Sequence, residues 1–200
     1  MTAHLATKSD MPAVGRSLAS AFDDDPVWRW LLTDERTFTR RAARVLECVA
    51  TMHLGHETVW VSGQAEAAGI WSPPKRYKVT PRELLPVAHR LIPAAGLSGL
   101  RRLTSMVPVE KLHPPEPHWY LAVLGTDQAH QGKGLGSAVM APAMARADEE
   151  GVGCYLESSK ESNLAFYARH GFEVTGTHDL GKGRGPRIWL MWRDPRPPGG

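Results

Sequence analysis

The feature that most constrains this chain is an apolar run followed by a glycine-rich loop and a long Ala/Met-rich segment, all within residues 118–150. The run HWYLAVLG (118–125) is nearly continuous in apolar residues, which predicts a buried central strand. The loop HQGKGLGS (130–137) contains three glycines and one lysine, and a helix is predicted from there to about Glu150. Backbone N–H groups at a helix start lack partners, and the helix dipole favours negative charge there. The segment is therefore predicted to bind a phosphate or pyrophosphate group.

Two common phosphate-binding motifs do not fit this loop. A P-loop requires Gly-x-x-x-x-Gly-Lys-Ser/Thr, but Lys133 is followed by Gly134. A dinucleotide fingerprint requires Gly-x-Gly-x-x-Gly, and the third glycine is missing whether the count begins at Gly132 or at Gly134. The remaining pattern is Gln131-x-x-Gly134-x-Gly136, between a predicted strand and a predicted helix.

The rest of the chain predicts one mixed α/β domain, because strands and helices alternate in its second half. Residues 73–117 form a proline-rich insert, which is either a cap over a binding site or a plain surface connection. The predicted domain spans residues 1–194, and residues 195–200 are predicted to be a flexible tail. Strands are predicted at 4–7, 58–62, 67–72, 118–125, 154–158, 172–178 and 187–193, and helices at 11–22, 35–53, 81–91, 97–105, 137–150 and 163–170.

Composition argues against several other classes of protein. The net charge of +3 is too small to indicate nucleic-acid binding. Two distant cysteines make neither a disulfide framework nor a paired metal motif. The pair His53-x-x-His56 lacks an evident third ligand, so no metal is expected. Because the chain shows neither a signal peptide nor an apolar run of membrane-spanning length, a cytoplasmic location without membrane binding is expected.

A second motif lies downstream of the loop. The segment ESNLAFYARHGF (161–172) places an asparagine before a tyrosine and ends in Gly-Phe. Together with Gln131-x-x-Gly134-x-Gly136, it resembles the GNAT superfamily of acyl-CoA-dependent N-acetyltransferases. Within that superfamily the chain is similar to the puromycin N-acetyltransferase family of actinobacteria, with a patchy match across residues 23–112. The segments that carry this second similarity are LATKSDMPAVGRSLASAF, PPEPHWYLAVLG, HQGKGLGSAVM, YLESS, NLAFYARHGF and GPRIWLMWR.

The resemblance implies a fold. It is the GNAT fold, an α/β (α+β) domain with a mixed, mostly antiparallel central sheet of about six or seven strands. Helices flank the sheet, and its strands splay around the acyl-CoA site. Residues 23–112 would form the acceptor half, and residues 118–193 would form the acyl-CoA-binding half.

The resemblance also implies acetyl-CoA as cosubstrate, without a metal. The end of the central strand would pair with the pantetheine arm as an added strand and supply an oxyanion donor. Asn163 would bond the same arm, cap its helix, or do both. The cofactor-binding residues expected on this basis are Leu124, Gly125, Thr126, Gln131, Gly132, Lys133, Gly134, Leu135, Gly136, Ser137 and Asn163.

Two residues are expected to be catalytic. Tyr167 is the candidate acid, because the CoA thiolate that leaves needs a proton and a phenol is suitably acidic. Glu157, at the end of its strand, is the candidate base for the attacking amine. His118, Asp24 and Asp25 are alternative bases, and an acceptor amine of low pKa would need none. An aromatic acceptor wall or, alternatively, plain core packing is expected for Trp28, Trp30, Trp119 and Tyr120.

The expected reaction is direct acetyl transfer within a ternary complex to a primary amine of a small molecule, such as the aminonucleoside antibiotic puromycin. Protein N-termini or lysines are alternative acceptors. A non-catalytic acyl-CoA-binding module is the alternative outside enzymes. The assembly is expected to be a monomer or a homodimer, with no nucleic-acid partner.

Overall fold

A computed structural model describes residues 2–197, apart from the side chains of residues 104–107. Its centre is a seven-stranded sheet in the order β1-β2-β3-β4-β5-β7-β6. All neighbouring strands are antiparallel except β4 and β5, which are parallel. This architecture confirms the predicted fold class. The strands are β1 (Ala3–Leu5), β2 (Val59–Ser62), β3 (Ala67–Ser72), β4 (His118–Thr126), β5 (Gly153–Ser158), β6 (Glu173–Asp179) and β7 (Arg187–Arg193).

Two details of the helices differ from the sequence-based prediction. Residues 26–31 form a helix, because Pro26 suits a first helical turn and the Asp25 carboxylate accepts hydrogen bonds from the Val27 and Trp28 N–H groups. The two helices predicted in the insert form one element broken at Gly96, whose φ of 65° is not helical. The α-helices are α1 (Met11–Ala21), α2 (Pro26–Leu31), α3 (Phe38–His53), α4 (Pro81–Leu103), α5 (Leu135–Glu149), α6 (Leu164–Arg169) and the single turn α7 (Leu180–Gly183).

The β4 strand leaves its neighbour β5 halfway along its length. The two strands pair from His118 opposite Gly153 to Leu121 opposite Leu156. Beyond that point β4 stays paired with β3 as far as Thr126. A bulge at Ala122, where Ile70 pairs with Val123 and Trp71 with Leu121, marks the departure. The edge of β4 that faces β5 is consequently without a strand partner over its last residues.

Helices cover both faces of the sheet and bury two large cores. One core lies under α1 and α3, and the other lies under α5 and α6. Trp119 belongs to the core under α5, where its indole N–H donates to Glu150 Oε2 at 2.9 Å. Trp28 and Trp30 pack on the opposite face. The sheet therefore separates Trp119 from Trp28 and Trp30, so the four aromatic residues do not form one acceptor wall, and the alternative prediction of core packing holds for these three.

The C-terminal end of β7 is fixed to α5. The Arg193 guanidinium forms a bidentate ion pair with Asp148, at 2.8 and 2.7 Å, and the Arg196 N–H donates to the same carboxylate at 2.7 Å. The last part of the predicted tail, residues 198–200, lies outside the described residues. Within residues 2–197, no helix has both the length and the apolar run that crossing a membrane would require.

Candidate active site

A cavity of about 760 Å³ opens where β4 separates from β5. The glycine-rich loop and the first turn of α5 form one side of it, and α6 forms the other. The end of α1 and the loop before α2 close a third side. Of the predicted cofactor-binding residues, those lining the cavity are Leu124, Gly125, Thr126, Gln131, Gly132, Gly134, Leu135, Gly136, Ser137 and Asn163.

The glycine-rich loop has a backbone that favours glycine. Gly132 and Gly134 both have a φ of 76°, and Gly134 is the residue immediately before α5. Residues with a side chain rarely adopt this left-handed conformation. The Gln131 amide donates to the Thr126 carbonyl at 3.2 Å, which ties the loop to the end of β4. The first N–H groups of α5 therefore lie next to the open strand edge.

Lys133 is the predicted cofactor-binding residue that does not line this cavity. Its ammonium group donates to the Ala129 carbonyl at 3.3 Å, and its side chain is exposed. Within the cavity, the backbone N–H groups and the helix dipole favour negative charge, and Lys160 and Arg169 also line it.

The cavity has the shape and chemistry for a long phosphate-bearing chain. One end is a helix start, where phosphate oxygens can accept N–H hydrogen bonds. This end continues into an open strand edge, where amide groups of a ligand can pair as an added strand. Asn163 stands at the residue before α6, and its side chain makes no capping hydrogen bond, so its amide remains available for a ligand. The residues present therefore fit a CoA-type molecule.

Tyr167 lines the inner part of the cavity. It is 8% exposed and packs in the core under α5. Within residues 2–197 its hydroxyl makes no hydrogen bond, so it is available to a ligand. Burial raises the pKa of Tyr167 well above its ordinary value, and the nearby Asp25 carboxylate adds to the rise. The phenol therefore stays protonated at neutral pH and can donate a hydrogen bond.

The loop before α2 is joined to the loop after β5 at the cavity. Asp24 forms an ion pair with Lys160, and Asp25 accepts a hydrogen bond from the Ser159 hydroxyl. The hydrogen bond from Lys160 lowers the pKa of Asp24, whereas burial raises the pKa of Asp25. Sequence reasoning missed Lys160, because its partner lies in a distant part of the chain. Both aspartates considered as alternative bases are therefore already paired with other side chains.

Glu157 lies on the other face of the sheet from α5. Its neighbour Leu156 packs under α5, so Glu157 points to the opposite side. Its Oε1 atom is buried without a hydrogen-bond partner among the described residues. Burial raises the pKa of Glu157 to about 7, with Tyr120 and Tyr155 opposing the rise. A carboxyl group with this pKa can accept a proton near neutral pH.

Two histidines accompany Glu157, and one of them was not predicted. His113 Nε2 lies 3.6 Å from Glu157 Oε1. His113 Nδ1 and His118 Nε2 are 3.0 Å apart. Both nitrogens of His118 are engaged, since its Nδ1 contacts the Glu116 carbonyl at 2.7 Å. One hint of this arrangement is visible in the sequence, where His113 precedes His118, the first residue of β4, by five positions.

The histidine pair considered as metal ligands and the buried Cys154 have structural roles. His56 contacts Glu83 at 2.7 Å, and His53 contacts Ser72 at 3.1 Å. Across the described residues, no group of three His, Cys, Asp or Glu side chains is arranged to hold a metal ion. Cys154 is fully buried, which raises the pKa of its thiol to about 12. It is therefore not suited to act as a nucleophile.

A larger cavity, of about 1010 Å³, lies outside this site. It is formed by α1, α3 and α4 and lined by several arginines, including Arg16, Arg36 and Arg40. No strand end or loop of the sheet reaches it. The smaller cavity, with its open strand edge, helix start and buried phenol, is the candidate active site.

Comparison with known proteins agrees with this geometry. Residues 94–172 match the sequence model of the acetyltransferase (GNAT) family. The chain is also 26% identical over 186 residues to an uncharacterized N-acetyltransferase of Schizosaccharomyces pombe, covering 86% of this chain and 74% of the relative.

Solved structures share the fold. A protein from Corynebacterium glutamicum described as histone acetyltransferase HPA2 and related acetyltransferase superposes with a TM-score of 0.62. It is 24% identical, and the match covers 100% of this chain and 98% of that one. Arylalkylamine N-acetyltransferase 2 from Aedes aegypti superposes with a TM-score of 0.60 at 10% identity, covering 97% and 98% of the two chains. At these identities the likeness concerns the fold alone.

Proposed function

We propose that this chain is an acetyltransferase of the GNAT family and that it transfers an acetyl group from acetyl-CoA to a primary amine of a small molecule. The observation that carries this proposal is the position of Tyr167, which lines the cavity shared by the glycine-rich loop and the open edge of β4. An acyl-CoA-binding protein without activity would have no need of a buried phenol there.

Acetyl-CoA, when bound, supplies the acetyl group as a thioester. The N–H groups between Gln131 and Ser137 bind its pyrophosphate, and the free edge of β4 from Leu124 to Thr126 pairs with its pantetheine arm. An N–H group of that edge polarises the thioester carbonyl. Asn163 bonds the pantetheine arm, and Lys133 adds a weak, solvent-screened attraction.

Two residues move protons in the proposed reaction. Glu157 accepts the proton that the amine loses when its nitrogen attacks the thioester carbon. Tyr167 donates a hydrogen bond and then its proton to the sulfur as the carbon–sulfur bond breaks. Because burial raises the pKa of Tyr167, its phenol keeps its proton until this step, and its hydrogen bond to the sulfur strengthens as negative charge develops there. Neither residue carries the acetyl group in this scheme, so the proposed transfer is direct.

The acceptor is proposed to be a small amine that approaches the face of the sheet bearing Glu157. The similarity of several segments to the puromycin N-acetyltransferase family makes an aminonucleoside antibiotic the first acceptor to test. Proteins of the same fold include enzymes named for agmatine and for arylalkylamines. Small aliphatic and aromatic amines therefore belong in the same panel.

The test is release of CoA thiol from acetyl-CoA across a panel of amines. The panel contains puromycin, agmatine, an arylalkylamine, and peptides with a free N-terminus or lysine. Turnover of a small amine supports the proposal. Faster turnover of peptides would assign a protein acceptor instead. Tight acetyl-CoA binding without turnover of any amine would favour the non-catalytic binding module.

The glycine-rich loop yields a prediction with a matched control. Alanine at Gly134 must adopt a left-handed backbone, at a cost of about 1–2 kcal/mol, or shift the first turn of α5. We expect Gly134→Ala to weaken acetyl-CoA binding by about tenfold or more, measured by calorimetry. Gly151→Ala imposes similar strain at a φ of 64°, at the far end of α5, with open space around the added Cβ. It should lower thermal stability without changing affinity. Equal loss of affinity in both variants would contradict the assignment of the loop.

A further inference from the structure

A buried cluster of ring side chains surrounds Glu157 and has no role in the reaction as described so far. His113 is central to it. Tyr77 stacks on His113 with ring centroids 4.0 Å apart and planes 16° from parallel. Tyr155 lies 4.8 Å from the same ring, and His118 lies 5.2 Å from it. The side chain of His113 is 4% exposed, so its ring is held on several sides.

The hydrogen bonds in this cluster determine which ring nitrogens carry protons. A carbonyl oxygen can only accept, so His118 Nδ1 must donate to the Glu116 carbonyl. In its neutral form His118 therefore has an unprotonated Nε2. His113 Nδ1, 3.0 Å from that atom, must then donate to it. A neutral His113 with a protonated Nδ1 has its lone pair on Nε2.

The lone pair of His113 is directed at the carboxyl group. His113 Nε2 lies 3.6 Å from Glu157 Oε1, the buried oxygen without a hydrogen-bond partner. At this separation no hydrogen bond exists between an ionised carboxylate and a neutral imidazole acceptor. When Glu157 gains a proton, the two atoms acquire a donor and an acceptor, and a small movement closes the hydrogen bond.

We propose that His113 is a positioning residue for Glu157, holding an unprotonated Nε2 toward the carboxyl group so that the proton taken from the acceptor amine is retained in an Oε1–H···Nε2 hydrogen bond. This proposal rests on the proposed function, in which Glu157 is the base. In the step, an N–H bond of the amine breaks and an O–H bond forms on Glu157. After the product leaves, the proton passes to water and the carboxylate is restored.

The surroundings of both groups agree with this arrangement. Burial, then His118 and Lys78, lowers the pKa of His113 to about 4, so its ring is neutral at the pH of the reaction. Tyr120 on β4 and Tyr155 on β5 face Glu157, and Leu190 is its partner on β7. His113 is therefore the uncharged acceptor next to the carboxyl group. The proton can be stabilised there without placing two positive charges together.

The first test does not depend on any amine being turned over. Nitrogen-15 NMR of histidine-labelled protein reports which ring nitrogen carries the proton. We expect His113 and His118 both to be protonated on Nδ1 above pH 7. The His113 Nε2 signal should shift as Glu157 titrates, and this shift should disappear in Glu157→Gln. A His113 ring protonated on Nε2, or a signal unaffected by Glu157→Gln, would overturn the proposal.

The second test uses two variants and the pH–rate profile. His113→Phe keeps a ring beside Tyr77 but offers no acceptor to the protonated carboxyl group, so the acidic limb assigned to Glu157 should move to lower pH. His113→Gln can donate an N–H to the carboxylate, so the limb should move to lower pH. Each shift should be about half a unit or more. A limb that stays in place in both folded variants would overturn the proposal, and variants that fail to fold leave the NMR result to decide. No turnover by wild-type protein would count against the proposed function, while the NMR result would still decide the role of His113.

Discussion

Replacing Tyr167 by phenylalanine is expected to lower kcat by about 100-fold or more, while the affinity for acetyl-CoA changes less than about threefold. Tyr167 lines the cavity, and its hydroxyl makes no hydrogen bond to another described residue. Its removal therefore leaves the bound state intact and takes away the proton donor for the leaving thiolate. Steady-state rates and calorimetric titration with acetyl-CoA measure the two effects separately.

The same substitution has a built-in control for folding. Because the hydroxyl has no partner within residues 2–197, Tyr167→Phe should keep the melting temperature within a few degrees of wild type. A variant that melts normally and keeps full kcat would exclude the acid role. Equal increases in KM and in the acetyl-CoA dissociation constant, with kcat unchanged, would make Tyr167 a binding residue instead.

Replacing Glu157 by glutamine is expected to lower kcat/KM by about 100-fold or more at pH 8 and to abolish the acidic limb of the wild-type profile. Because burial raises the pKa of Glu157 to about 7, wild-type activity should rise through that pH. The pKa of the acceptor amine, measured separately by titration, distinguishes a limb that belongs to the substrate from this limb of the protein. The exposed Glu173, changed to glutamine, is the matched control and should leave the profile unchanged. An unaltered limb in Glu157→Gln would assign the base elsewhere.

The stability of Glu157→Gln should change in the opposite direction from its activity. The pKa of Glu157 rises from an ordinary 4.5 to about 7 on folding, so the folded state binds this proton more tightly than the unfolded state. The resulting stability is fully present below about pH 4 and is lost as the pH rises through 7, a loss of about 3 kcal/mol. Denaturant titrations should therefore show that the free energy of unfolding of the variant, relative to wild type, is higher at pH 8 than at pH 4.

Local patterns predicted most of the fold and most of the cavity. The apolar run of β4, the glycines of the loop and the segment from Asn163 to Tyr167 each carry their signal within a few residues. Helix α2 escaped prediction because one short acidic stretch both ends α1 and provides Asp25 as the cap of the next helix. From sequence alone such a stretch predicts only the end of a helix. Its role in capping α2 depends on the position of the Asp25 side chain.

Contacts between distant segments could not be read from local patterns. The pairing of Asp24 with Lys160 depends on two loops meeting above the sheet. The approach of His113 to Glu157 depends on the chain crossing from the insert to the face of β5. The division of Trp119 from Trp28 and Trp30 depends on the face to which β4 turns Trp119 and on the face over which α2 packs.

The short pairing between β4 and β5 has a consequence for the amount of folded protein in a cell. Four described residue pairs join the two halves of the sheet. A ligand that pairs with the open edge of β4 and contacts α6 would bridge these halves. Binding to the folded state alone raises the free energy of unfolding with ligand concentration. A melting temperature that rises with acetyl-CoA concentration would mean that cells rich in this metabolite keep more of the protein folded. A constant melting temperature would show that the pairing of β4 with β5 is not strengthened by the ligand.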